Sequence, residues 1–148
     1  MIRKASAVWN GSLKEGKGTI STESRVLAAV PYSFAKRFEN EPGTNPEELI
    51  AAAHASCFTM ALSAQLGNAG ITPQSLETTA AVTLEKLEAG FTVTKIHLDV
   101  TARIPGADQA AFDKAAEAAK TGCPISRLLK AAEITMTARL SGDRATSA

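Results

Sequence analysis

Cysteine is scarce in this chain of 148 residues, which has two. A small secreted scaffold held by disulfides needs more, so that class is excluded. Charge of one sign is missing as well. Sixteen basic and fifteen acidic residues leave a net charge of +1, and nothing steers the chain toward nucleic acid or anionic lipid. Aromatic residues make up 5% of the chain, and alanine is abundant instead. The first residues, Met1-Ile2-Arg3-Lys4-Ala5-Ser6, carry no apolar signal core, and a cytoplasmic protein is expected. The most informative absence is internal. Between Leu49 and Leu76 there is no Asp, Glu, Lys or Arg.

That uncharged stretch predicts one helix, from Asn45 to about Leu66. Asn45 suits the N-cap, Pro46 the first helical position, and Glu48 can reach back as in a capping box. Asn68-Ala69-Gly70, with Pro73 beyond, ends it. At 100° per residue the apolar side chains go all the way round, with Leu49, Ala53 and Met60 on one side and Phe58 and Leu62 on the other. A helix of this kind is expected to be buried all round. A membrane span is the competing reading. Against it stand His54, Ser56, Thr59, Ser63 and Gln65, a composition rich in Ala rather than Leu and Ile, and flanks that alternate like a soluble sheet protein.

The flanks predict a single α+β domain over residues 1–148, mainly antiparallel sheet with the long buried helix at its centre. Ile2 to Trp9 reads as a first strand, and Asn10-Gly11-Ser12 as a turn. A polar segment with Gly16 and Gly18 leads into a second strand ending at Thr22. Arg25 to Val30 suggests a third, and Pro31 to Phe38 is less regular. Leu76–Leu87 and Phe91–Ile104 alternate across Glu88-Ala89-Gly90, the pattern of a hairpin with one wet face. Ala107–Lys120 is an amphipathic helix with Ala110, Ala111, Phe112, Ala115 and Ala118 as candidate buried positions. Cys123-Pro124 opens a short helix, Ala132–Leu140 a last strand, and residues 141–148 a frayed tail.

Cys57 lies near the middle of the central helix and Cys123 immediately before a Pro-initiated one. Either can be an inert buried thiol used as a small hydrophobe. Yet a helix start favours a thiolate, and two thiols in separate elements suit a cycle in which one attacks and the other resolves a sulfenic acid. His54 and Cys57 can be written as a metal pair, but a closed zinc site needs four ligands, and only His97 and Cys123 remain. His54 as a base for Cys57 is a further possibility, and hydrogen bonding within the helix packing is the plainer role. Glu47 needs no function in the first turn of a helix. It also cannot serve Cys57 of its own helix, since ten residues of helix rise about 15 Å. A Glu47 that belongs to a thiol site comes from a second copy of the chain. Arg37 could favour a thiolate, as could any of the six other arginines.

Gly43-Thr44-Asn45-Pro46-Glu47-Glu48-Leu49 running into Ala52-Ala53-His54-Ala55-Ser56-Cys57-Phe58, followed by Cys123-Pro124-Ile125-Ser126, resembles the OsmC family (osmotically inducible protein C), thiol-dependent hydroperoxide reductases. The resemblance covers essentially the whole chain. It implies an OsmC-like α+β fold, an intertwined homodimer with two active sites at the interface, and reduction of organic hydroperoxides, often also hydrogen peroxide. Position by position it makes Cys57 the peroxidatic cysteine, Cys123 the resolving one, Glu47 the family glutamate and Arg37 the activating arginine, in the location of the OsmC branch rather than the organic hydroperoxide resistance branch. It implies no metal and no organic cofactor. The expected partners are a second copy, the peroxide and an external dithiol, for which a lipoyl-type reductant is one candidate. Phe34, Phe38, Phe58 and Met60 are candidates for an apolar approach. The alternative function is a redox sensor or thiol-binding module that oxidises without turnover.

Overall fold

The computed structural model describes residues 1–141, which fall into two compact units, Met1–Leu49 and Ile50 onward.

In the first unit, β1 (Ala5–Asn10), β2 (Lys17–Thr22) and β3 (Val30–Tyr32) form an antiparallel sheet in that order. Gly18 of β2 pairs with Trp9 of β1 and Tyr32 of β3, and the two rings sit 5.4 Å apart. A Cβ at Gly18 would come within 2.5 Å of Tyr32 and 2.6 Å of Trp9, so only glycine lets the rings close over the middle strand. Two expectations shift here. Met1 to Lys4 precede the sheet, and the third strand begins at Val30 rather than Arg25. The segment before it turns instead, with Arg25 at φ 67° and Ala29 at φ 50°. The less regular segment contains a short helix, α1 (Phe34–Phe38), whose N-cap Ser33 accepts a hydrogen bond from the Lys36 N–H.

The long helix is α2 (Pro46–Asn68), which begins at the end of the first unit and runs on in the second. Asn45 caps it, its side-chain oxygen accepting from the Glu48 N–H at 2.8 Å. The Glu48 carboxylate takes a bond from the Thr44 hydroxyl. At the far end Ile71 N–H bonds Leu66 C=O and Gly70 N–H bonds Gly67 C=O, with Gly70 at φ 75°. This is a Schellman closure, which needs a left-handed residue at Gly70.

In the second unit, β4 (Ser75–Leu87) and β5 (Gly90–Arg103) make the expected antiparallel hairpin. β6 (Glu133–Ser141) pairs with β5 in parallel. A parallel pair needs a crossover, and α3 (Gln109–Gly122) with α4 (Pro124–Leu128) supplies it. This sheet therefore has one antiparallel and one parallel pairing, and of the four strand pairings described in the two sheets three are antiparallel. Ser141 ends β6 rather than starting a tail, and 142–148, the rest of the expected frayed tail, lie outside the described residues. The core joins Ile96, Leu98, Val100 and Ala102 of β5 to Phe58, Leu62 and Leu66 of α2 and to Phe112, Ala115, Ala116 and Ala119 of α3. The buried stripe of α3 is thus rotated from the expected one: Ala110 is exposed, and Ala111 and Ala118 are half-buried.

Burial of α2 departs from expectation most. Within one chain its buried residues are His54, Phe58, Leu62 and Leu66, a single stripe at four-residue spacing, and Met60 is 77% exposed. One sheet can cover one face of a helix, so an apolar surface remains on the others.

Candidate active site

The candidate residues gather in two clusters, one in each unit. In the first, Arg37 stands in the last turn of α1 and Glu47 in the first turn of α2. Arg37 Nη2 donates to Glu47 Oε1 at 2.6 Å, and Nε donates to both carboxylate oxygens at 3.2 Å. A planar guanidinium held this way is aimed as well as charged. Its other side lies over the Phe38 ring, 5.0 Å from the centroid. Arg37 also lines a cavity of about 250 Å³ with Trp9, Leu13, Tyr32, Ser33, Phe34 and Phe38. Two of the aromatics expected along an apolar approach, Phe34 and Phe38, are in this wall. The other two are elsewhere: Phe58 is fully buried in the core, and Met60 is exposed on α2.

The second cluster holds the thiols. Cys57 is partly buried on α2, and Cys123 is 1% exposed between α3 and α4. Cys123 is the N-cap of α4, with Pro124 at the first helical position, and its sulfur accepts from the Ser126 N–H at 3.2 Å. The Cys57 thiol neighbours the Cys123 side chain and the backbone of Ile125. Burial pushes the Cys57 thiol above its ordinary pKa, the Ile125 backbone opposes this, and the neighbouring Cys123 adds to it. Among the described residues no arginine or lysine is a cause of this shift.

The plainer role expected of His54, hydrogen bonding within the helix packing, is what the structure has, and its partner Ser126 is a residue that sequence reasoning did not single out. His54 is fully buried, and its Nε2 lies 2.7 Å from the Ser126 hydroxyl, which in turn lies 3.1 Å from Cys123 Sγ. The signal was available: a histidine one turn before Cys57 on an apolar helix, and a serine one turn after Cys123. His54 Nδ1 is buried without a hydrogen-bond partner, and burial lowers the pKa of the ring. Among the described residues no three His, Cys, Asp or Glu side chains are grouped to hold a metal ion. His97, the other histidine, bonds the hydroxyls of Thr135 and Thr137 on β6.

Comparison with known proteins bears on what these clusters are. The chain is 58% identical over 134 residues to Peroxiredoxin OsmC of Escherichia coli (strain K12), covering 90% of this chain and 93% of that one. Its structure is similar to the organic hydroperoxide resistance protein OhrB of Bacillus subtilis, with a TM-score of 0.66 at 25% identity over 93% of this chain and 98% of the other. It also resembles in fold an OsmC-like protein from Mycoplasma pneumoniae, with a TM-score of 0.74 at 14% identity over 95% and 97% of the two chains. The family model for OsmC-like proteins matches residues 38–139, a span that takes in Glu47 and both cysteines. The chain belongs to the OsmC family.

Proposed function

We propose that this chain is a two-cysteine peroxidase that works as a homodimer, with Cys57 as the attacking thiol and Cys123 as the resolving one. That it is a hydroperoxide-reducing enzyme follows from its identity to Peroxiredoxin OsmC. The observation that carries the two-cysteine reading is that the two free thiols are neighbours, close enough for Cys123 to act on the titration of Cys57. The Cys57 thiolate attacks the outer oxygen of the hydroperoxide. The O–O bond breaks, Cys57 becomes a sulfenic acid, and the alkoxide leaves and is protonated to the alcohol. Cys123 then displaces the sulfenic oxygen as water and closes a disulfide. An external dithiol, of lipoyl type as one candidate, reopens it. The mechanism needs no metal and no organic cofactor.

The raised pKa of Cys57 gives the reason for a second copy. Among the described residues of a single chain no cation opposes the burial that disfavours the Cys57 thiolate. Arg37, forked onto Glu47, is the group suited to supply the charge. Glu47 stands ten residues before Cys57 on one helix, about 15 Å along its axis, beyond side-chain reach. The reading therefore assigns to each Cys57 the aimed guanidinium of Arg37 of the partner subunit, which would also neutralise charge on the leaving oxygen. The uncharged surface of α2 left uncovered by its own sheet, with Met60 exposed on it, supports the same assembly, since a second copy would take it out of water. By length and composition α2 is also apolar enough to cross a membrane. Its buried stripe against β5 and α3 favours a cytoplasmic core and interface helix instead.

Turnover of cumene hydroperoxide with an excess of dithiol tests the reading. Cys57→Ser is expected to abolish turnover, and Cys123→Ser to allow one oxidation and stop at a sulfenic acid trapped by a dimedone probe. Full activity in Cys57→Ser overturns it. Stoichiometric peroxide loss in the unaltered protein, without cycling on any dithiol, points instead to a sensor.

A further inference from the structure

The two-cysteine cycle has a second step that the thiols alone explain poorly. Cys123 is 1% exposed, and a buried thiol gives up its proton reluctantly. The Cys123 S–H donates to Ser126 Oγ at 3.1 Å, and Ser126 Oγ lies 2.7 Å from His54 Nε2. Three groups from α2 and the start of α4 thus form one unbroken line, and His54 and Ser126 are both buried, at 0% and 3% exposure. With the thiol donating to the hydroxyl, the Ser126 O–H is left to donate to Nε2. The Nε2 lone pair then accepts, and the ring proton sits on Nδ1.

We propose that His54 and Ser126 form a proton relay that takes the proton from Cys123 in the resolving step, with His54 acting through Ser126 as a positioning residue. The inference rests on the two-cysteine reading. A lone pair of Cys123 sulfur forms the new bond to Cys57 sulfur. The Cys57 S–O bond breaks, and its electron pair leaves with the oxygen as hydroxide. Cys123 is oxidised, and Cys57 returns from sulfenic to disulfide level. The Cys123 proton moves to Ser126 Oγ as the Ser126 hydroxyl proton moves to His54 Nε2. The imidazolium then gives one proton to solvent and the hydroxide takes one from it, so the net product is water.

Two features of the site fit this role. His54 Nδ1 is buried and unpartnered, so no carboxylate or backbone carbonyl ties the ring to a purely structural bond there. Burial is the one cause acting on the ring's pKa, which keeps it neutral and able to accept. The ionisable groups on the line itself are His54 and the two thiols, and Lys120, Arg127 and Lys130 line with Ser126 an adjoining cavity of about 300 Å³. The Ser126 N–H, which holds Cys123 Sγ at 3.2 Å, fixes the sulfur as it becomes a thiolate.

Single-turnover stopped flow separates the steps: cumene hydroperoxide is mixed with reduced protein, and Cys57 oxidation and Cys57–Cys123 disulfide formation are followed across pH. In the unaltered protein the disulfide forms rapidly through neutral pH. In His54→Gln the oxidation phase persists. Disulfide formation at pH 7 slows about a hundredfold, within the usual range for a lost general base, and rises with pH toward a free thiol's pKa of about 8.5. Ser126→Ala gives the same slow, pH-dependent phase while keeping the backbone N–H, and Ser126→Thr restores the hydroxyl and most of the rate. Should His54→Gln not fold, the Ser126 pair decides alone. A disulfide rate and pH profile like the unaltered protein's in folded His54→Gln, or in Ser126→Ala, overturns the relay. If the unaltered protein oxidises Cys57 and forms no disulfide with Cys123, the two-cysteine reading fails and the relay with it.

Discussion

Arg37 and Glu47 pair at a partly open surface, with side chains 37% and 14% exposed. Pairs in that setting contribute about 0–1 kcal/mol to stability. The fork therefore matters for where the charge points rather than for folding. Arg37→Lys keeps the charge and loses the two-pronged geometry. It is expected to lower kcat/KM for cumene hydroperoxide about tenfold to a hundredfold, with a melting temperature unchanged within a few degrees. Steady-state kinetics beside calorimetry check both halves. His54 makes the opposite case. Its pKa in the folded chain lies below the unfolded value of about 6.5, so the unfolded state takes the proton first as pH falls. The stabilisation is complete above the unfolded pKa and is lost as pH falls through the folded one, at up to about 1.4 kcal/mol per pH unit. Calorimetric melting from pH 7 to 5 should show a steeper loss in the unaltered protein than in His54→Gln. For Cys57 the single chain raises the pKa, a contribution present below the ordinary thiol pKa that fades as pH rises above it, and in the proposed dimer Arg37 of the partner subunit opposes it.

At the scale of elements, α2 is attached to the second unit through one stripe. Phe58 is fully buried in it among Leu62, Leu66, Ile96 and Leu98. Phe58→Ala removes the ring and leaves a cavity, and about 3–5 kcal/mol of stability should go with it. A lowered urea midpoint with an unchanged slope would report that. Strand β5 shows how a pattern holds more than it first yields. Its apolar residues run Phe91, Val93, then Ile96, Leu98 and Val100, with one step of three among steps of two. The structure has a bulge at that step: Thr83 pairs with Lys95 and Leu84 with Val93, so Thr94 is the extra residue. The extra residue keeps Val93, on one side of the bulge, packed against the same core as Ile96, Leu98, Val100 and Ala102 on the other, while Phe91 near the strand's start is 57% exposed.

For the whole molecule, the proposed dimer makes a sharp claim about which lesions complement. Chains carrying Glu47→Ala have an intact Cys57, and chains carrying Cys57→Ser have an intact Glu47. In a mixed dimer one site then holds both lesions and the other holds none. After exchange at equal amounts, half the dimers are mixed and each has one working site. Activity should recover to about a quarter of the unaltered level from two nearly inactive parents. Native mass spectrometry confirms the exchange, and no recovery after it would count against a shared site.

The sequence by itself determined the elements with strong local signals. The cap at Asn45, Pro46 and the uncharged run fixed α2, and the alternation around Glu88-Ala89-Gly90 fixed the hairpin. The two thiols were legible as candidates from their local settings, and Glu47 and Arg37 through the family resemblance. Other features were decided only by the tertiary structure. α2 reads apolar on every side, and periodicity cannot say which stripe a sheet will cover; packing chose His54, Phe58, Leu62 and Leu66. β6 looks like any alternating strand, and its parallel pairing depends on the route through α3 and α4. Arg37 was one arginine among seven until its fork closed on Glu47. The line from Cys123 through Ser126 to His54 joins residues 72 positions apart, and no local propensity encodes a contact of that range.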